Sequence, residues 1–110
     1  MYRINPGEFK NPIEILKYVL RTDEDNIPVK SYEVILSTKA RILNISGKEK
    51  VLNDGVSSVS VKRFYIRYKK DLDITTGDII LYKDKKYNIT YVSNVEEKDV
   101  YLEIVGELME

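Results

Sequence analysis

An all-β fold, a small antiparallel β-barrel or sandwich with one long mobile loop between strands, is predicted by three features of this 110-residue chain. Short runs of alternating apolar and polar residues recur at intervals of roughly ten residues, polar turns separate them, and β-branched and aromatic side chains fill them. The length fits one domain spanning residues 1–110. A chain of this size buries roughly two-thirds of its unfolded surface, enough for one modest core.

The elements follow in order. Residues 12–21 place Ile13, Ile15 and Val19 at alternate positions, with Glu14 and Lys17 available to solvent, which suits a first strand. The polar stretch TDEDNIP is a turn, and Pro28 disfavours a helix across it. Residues 29–36 then form a short extended or irregular segment. Residues 39–45 set Ala40 and Ile42 on one side and Arg41, Leu43 and Ile45 on the other, a second strand. Leu36, Ala40 and Leu43 also fall at helical spacing, which is the rival reading.

Residues 46–58, SGKEKVLNDGVSS, hold two glycines and few apolar side chains, so a long loop is expected there. Ser46 and Glu49 have capping-box spacing for one helical turn, and Asp54-Gly55 is a turn signal. Residues 59–68 form the clearest strand, with Phe64 and Ile66 facing in and Arg63, Tyr65 and Arg67 facing out. Thr76, Gly77 and Asp78 make a turn, residues 79–82 a strand, and Asp84-Lys85 a hairpin connection without the glycine that mirror-image turns prefer. Tyr87, Ile89 and Tyr91 share one side of the next strand. In the last strand Val100, Leu102 and Ile104 face inward, opposite Tyr101 and Glu103.

Composition excludes more functions than it names. Eighteen basic and eighteen acidic residues cancel, so no global field draws the chain onto DNA or an anionic membrane, and any nucleic-acid contact must be a local patch. Cysteine is absent, which removes disulfides, thiolate catalysis and the common structural zinc sites. Histidine is absent too, and with it the usual general base near neutral pH. The opening MYRINPGEFKNP lacks the apolar run of a signal peptide, and no later stretch approaches a membrane span, so a soluble, intracellular product is expected.

Reactive constellations are correspondingly poor. DLDITTGD begins like a calcium loop at Asp71 and Asp73, but Gly77 falls one position late and Tyr82 stands where a bidentate glutamate belongs. Asp71, Asp73 and Asp78 offer carboxylate pairs only of the kind any small acidic turn provides. No catalytic, cofactor-binding or metal-ligating residues are assigned. Arg63, Arg67, Lys69 and Lys70, interleaved with Tyr65 and Tyr68, are placed for a single-strand-binding platform, against the plainer reading of a solvated strand face. Nine tyrosines also fit subunit contacts, because the side chain combines a large apolar ring with a hydroxyl.

The order of features is similar to that of one viral family. Ile4-Asn5-Pro6-Gly7-Glu8, the strand at Ile13 to Leu16, Ala40-Arg41-Ile42 leading to Ser46-Gly47-Lys48-Glu49, then Phe64-Tyr65-Ile66-Arg67-Tyr68, Asp78-Ile79-Ile80-Leu81-Tyr82 and Tyr87-Asn88-Ile89 resemble the head-tail joining proteins (head-completion or stopper, head-tail adaptor) of long-tailed bacteriophages and prophages. The resemblance covers nearly the whole chain and lies in order and spacing. Tyr32 stands where a tryptophan commonly precedes the second strand, and Asp84-Lys85-Lys86 replaces a glycine-containing hairpin.

The resemblance implies a non-enzymatic virion component, a homo-oligomeric ring beneath the portal and adaptor that retains packaged double-stranded DNA and docks the tail, with no cofactor and no membrane. It places the protein at the head-tail junction, and in the host cytoplasm during assembly. Residues 46–58 then become the channel-facing segment, carrying Ser46, Gly47, Lys48, Glu49, Lys50, Asn53, Asp54 and Gly55. Lys48 and Lys50 would approach DNA phosphates, offset by Glu49 and Asp54, a mixed lining that touches DNA without holding it. Tyr65, Arg67 and Tyr82 would serve the scaffold and its interfaces. The alternatives are a stand-alone nucleic-acid-binding barrel and another neck component, an adaptor or tail terminator.

Overall fold

The computed structural model describes the backbone of residues 6–52 and 55–109 and the side chains of residues 7–45 and 60–109. A short 3-10 turn, Pro6–Glu8, precedes six strands: β1 Asn11–Thr22, β2 Pro28–Leu52, β3 Gly55–Arg67, β4 Ile79–Tyr82, β5 Lys85–Asn94 and β6 Tyr101–Leu108. They close into a barrel in the order β1-β2-β3-β6-β5-β4, and every neighbouring pair is antiparallel. The all-β expectation holds.

Alternation explains the core. Ile13 and Ile15 of β1, Leu36 and Ala40 of β2, Phe64 and Ile66 of β3, Ile80 of β4, Tyr87 and Ile89 of β5, and Leu102 and Ile104 of β6 are all buried together. Successive residues in a strand point to opposite faces, so each strand supplies this interior from every second position. The rings of Tyr87 and Tyr82 meet Phe64 edge-on at centroid distances of 5.5 and 6.4 Å. Burial, reinforced by nearby Tyr82, pushes the Tyr87 phenol above its ordinary range. Gly106 packs tightly at the same spot: a Cβ there would lie 3.0 Å from Tyr87 Cβ and 3.3 Å from Phe64 Cε1.

One polar group is built into this core. Asp78, 5% exposed, accepts the Lys17 ammonium at 3.0 Å and the Thr75 amide at 2.9 Å on a single carboxylate oxygen. Its own carbonyl accepts the Ile89 amide, so the turn before β4 is pinned to both β1 and β5. We expect Asp78→Ala to lower stability by about 3 kcal/mol, because the Thr75 amide and the half-buried Lys17 amine lose a charged acceptor. Urea denaturation checks this, and an unchanged midpoint would mean that the turn is held by its backbone alone.

Several expectations are corrected. The segment at residues 29–36 is neither short nor irregular, nor is the 36–43 stretch helical: β2 runs unbroken for 25 residues, bulging where β1 passes from Ile15 to Leu16. Residues 46–52 and 55–58 are not a loop and form no capped helical turn. They pair as an antiparallel hairpin, from Lys48 opposite Val59 to Leu52 opposite Gly55. A paucity of apolar anchors does not exclude a strand pair, because a two-stranded ladder needs only backbone hydrogen bonds and a compatible turn. Asn53 and Asp54, and with them most of the expected Asp54-Gly55 turn, lie outside the described residues.

Tyr91 does not continue the buried row of Tyr87 and Ile89, being 50% exposed, because the ladder with β6 shifts between Ile89 and Tyr91. Val100 is likewise outside the core: β6 begins one residue later, and the Val100 carbonyl instead accepts the Tyr68 amide at 2.9 Å.

The β4–β5 connection is Lys83-Asp84 rather than Asp84-Lys85, since Tyr82 faces Lys85 across it. Both turn residues have positive φ, 49° and 63°, the conformation that mirror-image hairpin turns demand and that side chains resist. Replacing Lys83-Asp84 by Asn-Gly should raise stability by about 1 kcal/mol, read as a higher thermal midpoint. A lower midpoint would show that the Lys83 ammonium, 5.3 Å from the Tyr82 ring centroid, contributes more than the turn costs.

Candidate functional site

Three surfaces stand out from the barrel. The first is the hairpin of residues 46–58, the far end of β2 and the near end of β3. Ser46 and Gly47 sit at a register shift between Ile45 and Lys48, and Lys48, Glu49 and Lys50 face Val59, Ser58 and Ser57 across the ladder. β6 first joins β3 at Val61, so among the described residues this hairpin has no third strand beside it. It is a two-stranded arm projecting from the barrel.

The second is the outer face of β3. Tyr65, expected to face solvent, does point away from the barrel core, yet it is only 1% exposed. Sequence alternation assigns it correctly to the outer face but cannot see a second layer above. Glu8 pairs with Arg41 on β2, and Phe9 packs against Tyr101 of β6 at 5.3 Å, so the N-terminal segment bridges the strands on both sides of β3. The Arg41 guanidinium also lies 5.6 Å from the Tyr65 ring centroid.

Arg67, Lys69 and Lys70 are exposed at the end of β3, whereas Arg63 Nε lies 3.2 Å from Glu103 Oε1, an ion pair without hydrogen-bond alignment. Tyr68 packs partly against the core. The stacking platform imagined for Arg63, Arg67, Lys69 and Lys70 thus has no free tyrosine face in Tyr65 and a partly neutralised charge at Arg63. Tyr82 is half-buried, its ring centroid 6.4 Å from that of Phe64 and 5.3 Å from the Lys83 ammonium. Among the described residues no group of three or more acidic side chains is placed to hold a metal ion, and no helix is long and apolar enough to cross a membrane.

The third surface escaped the sequence reading. Beyond residue 16, β1 and the first part of β2 leave the barrel as a ribbon, with Tyr18 against Tyr32 and Leu16 against Val34. The signal was present: β1 is apolar at both parities, Ile13 and Ile15 on one and Leu16, Tyr18 and Leu20 on the other. A strand with one buried face needs only one such row.

The sequence and fold comparisons agree with this architecture. Residues 4–108 match the family model described as phage head completion protein. The chain belongs to that family. It is 26% identical over 89 residues to the head completion protein gp7 of Enterobacteria phage HK97, covering 78% of this chain and 80% of that protein. In fold, the family member resembles a chain in the virion of a native gene transfer agent particle, with a TM-score of 0.69 and 10% identity over 91% of this chain and 94% of that one. It also resembles a Shigella flexneri 2a protein solved in solution, with a TM-score of 0.65 and 20% identity over 96% of each chain. At those identities the two structures speak to the barrel, and the family assignment rests on the sequence match.

Proposed function

We propose that this head completion protein is a structural, non-catalytic part of the head-tail connector, assembling as a ring below the portal and adaptor, retaining packaged DNA and offering the surface on which the tail docks. The observation that carries the reading is the family match across nearly the whole chain, on a barrel with two projecting hairpins. In this reading the 46–58 hairpin faces the channel, with Ser46, Gly47, Lys48, Glu49 and Lys50 on one strand, Gly55 opening the other, and Asn53 and Asp54 between them. Lys48 and Lys50 meet phosphates non-specifically, and Glu49 keeps that contact weak. Tyr65, Arg67 and Tyr82 support the scaffold and its contacts. The protein acts in the virion after assembly in the host cytoplasm, without a membrane.

Complementation in vitro tests this. DNA-filled heads made without the protein should leak DNA and fail to join tails, and adding purified protein should restore both. Normal tail joining in its absence would refute the connector role.

A further inference from the structure

Outside the barrel, residues 17–22 of β1 lie against residues 28–33 of β2 as a two-stranded ribbon. Neither strand has a second ladder partner there among the described residues: β4 reaches only Glu14 to Leu16 of β1, and β3 first pairs with β2 at Arg41. The ribbon therefore carries two free edges of different sequence. An unpaired edge presents a row of backbone donors and acceptors that readily accepts another strand. One ribbon face is mostly apolar and open to solvent, with Tyr18 41%, Leu20 65%, Tyr32 45% and Val34 51% exposed and Lys30 opposite Leu20. The opposite face holds Lys17 and Arg21 on β1 and Glu33 on β2.

The geometry points to a second copy of this chain as the occupant of these edges, the β1 edge of one subunit lying antiparallel on the β2 edge of the next. Charge selects this arrangement. Pairing β1 with β1 of a partner sets Lys17 and Arg21 against the same two cations, and like charges facing across a ladder are unfavourable. Pairing β2 with β2 gives Glu33 only Ser31, Val29 or another Glu33 to face. Pairing β1 with β2 places Glu33 between two basic strands, its own β1, where it already pairs with Arg21, and the neighbour's. Lys17 is held by the buried Asp78, so the more exposed Arg21 is the cation that the Glu33 carboxylates of adjacent subunits share.

The same contact brings Tyr18 and Leu20 of one ribbon beside Tyr32 and Val34 of the next, at a strand spacing of about 4.8 Å, and covers the flanks of the exposed apolar face. Because two different edges meet, the contact is heterologous, and repetition closes it into a ring when the rotation allows. The inference rests on the ring reading above and names the surface that builds it.

The absence of cysteine makes single thiols direct reporters. Leu20→Cys and Tyr32→Cys are introduced as separate variants, incorporated into particles singly and as an equal mixture, and treated with a short bis-maleimide. The expected result is covalent dimer from the mixture and none from either variant alone. Dimer from one variant alone overturns the head-to-tail contact in favour of a two-fold one. No dimer in any sample, while a lysine-directed cross-linker still yields a ladder of multimers, overturns the ribbon contact and leaves the ring standing. Loss of that ladder in unsubstituted particles overturns the ring and the inference together. Should these variants fail to enter particles, Val19→Cys and Ser31→Cys on the opposite face provide the same readouts.

Discussion

Replacing Phe64 by alanine is expected to cost about 3–5 kcal/mol. The ring is fully buried, is bracketed by Tyr82 and Tyr87, and sits against Gly106 of β6, where an added Cβ would lie 3.3 Å from it. Truncation leaves a cavity that the surrounding ladder cannot fill, because β2 and β6 hold β3 on both sides and fix its distance from β5. For a domain of this size each kcal/mol moves the thermal midpoint by about 4–8 °C, so the loss is visible in a single melting curve. An unchanged midpoint would mean that the interior face of β3 is wrongly assigned.

Excising residues 48–59 and joining the ends with Asn-Gly should leave the barrel folded and abolish infectious particles. The excised segment has no ladder partner beyond its own hairpin among the described residues, and changing the length of a connection alters closure free energy by only about 0.6 kcal/mol per doubling. Circular dichroism and melting test the first half. Nuclease sensitivity of DNA in filled heads and plaque titre test the second. A variant that unfolds makes the hairpin part of the stability core; one that folds and yields normal titres removes the channel role.

How much of this was legible follows from what each residue's environment depends on. Phe64, Ile66, Ile89, Leu102 and Ile104 were readable as core because period-2 alternation is a local property of the strand. Tyr91 and Val100 depart from that pattern because a register shift changes the phase before Tyr91 and β6 begins only after Val100, and neither leaves a mark in composition. The 46–58 hairpin was misread because hydrogen bonds between two polar strands leave no apolar signature. Tyr65 was placed on the correct face but assumed to be wet, since the covering segment around Phe9 lies more than fifty positions away in sequence.

By itself, the sequence determined an all-β chain without thiol or imidazole chemistry, the interior faces of most strands, and a family likeness carried by the order of its short motifs. Only the tertiary structure decided that the barrel closes between β1 and β4, that β2 continues past both ends into two arms, and that Lys17 and Asp78 meet across 61 positions. The division has one physical cause. Face and turn preferences arise from neighbouring residues and are written into local pattern, whereas closure, second-layer burial and free edges depend on which distant strands find each other.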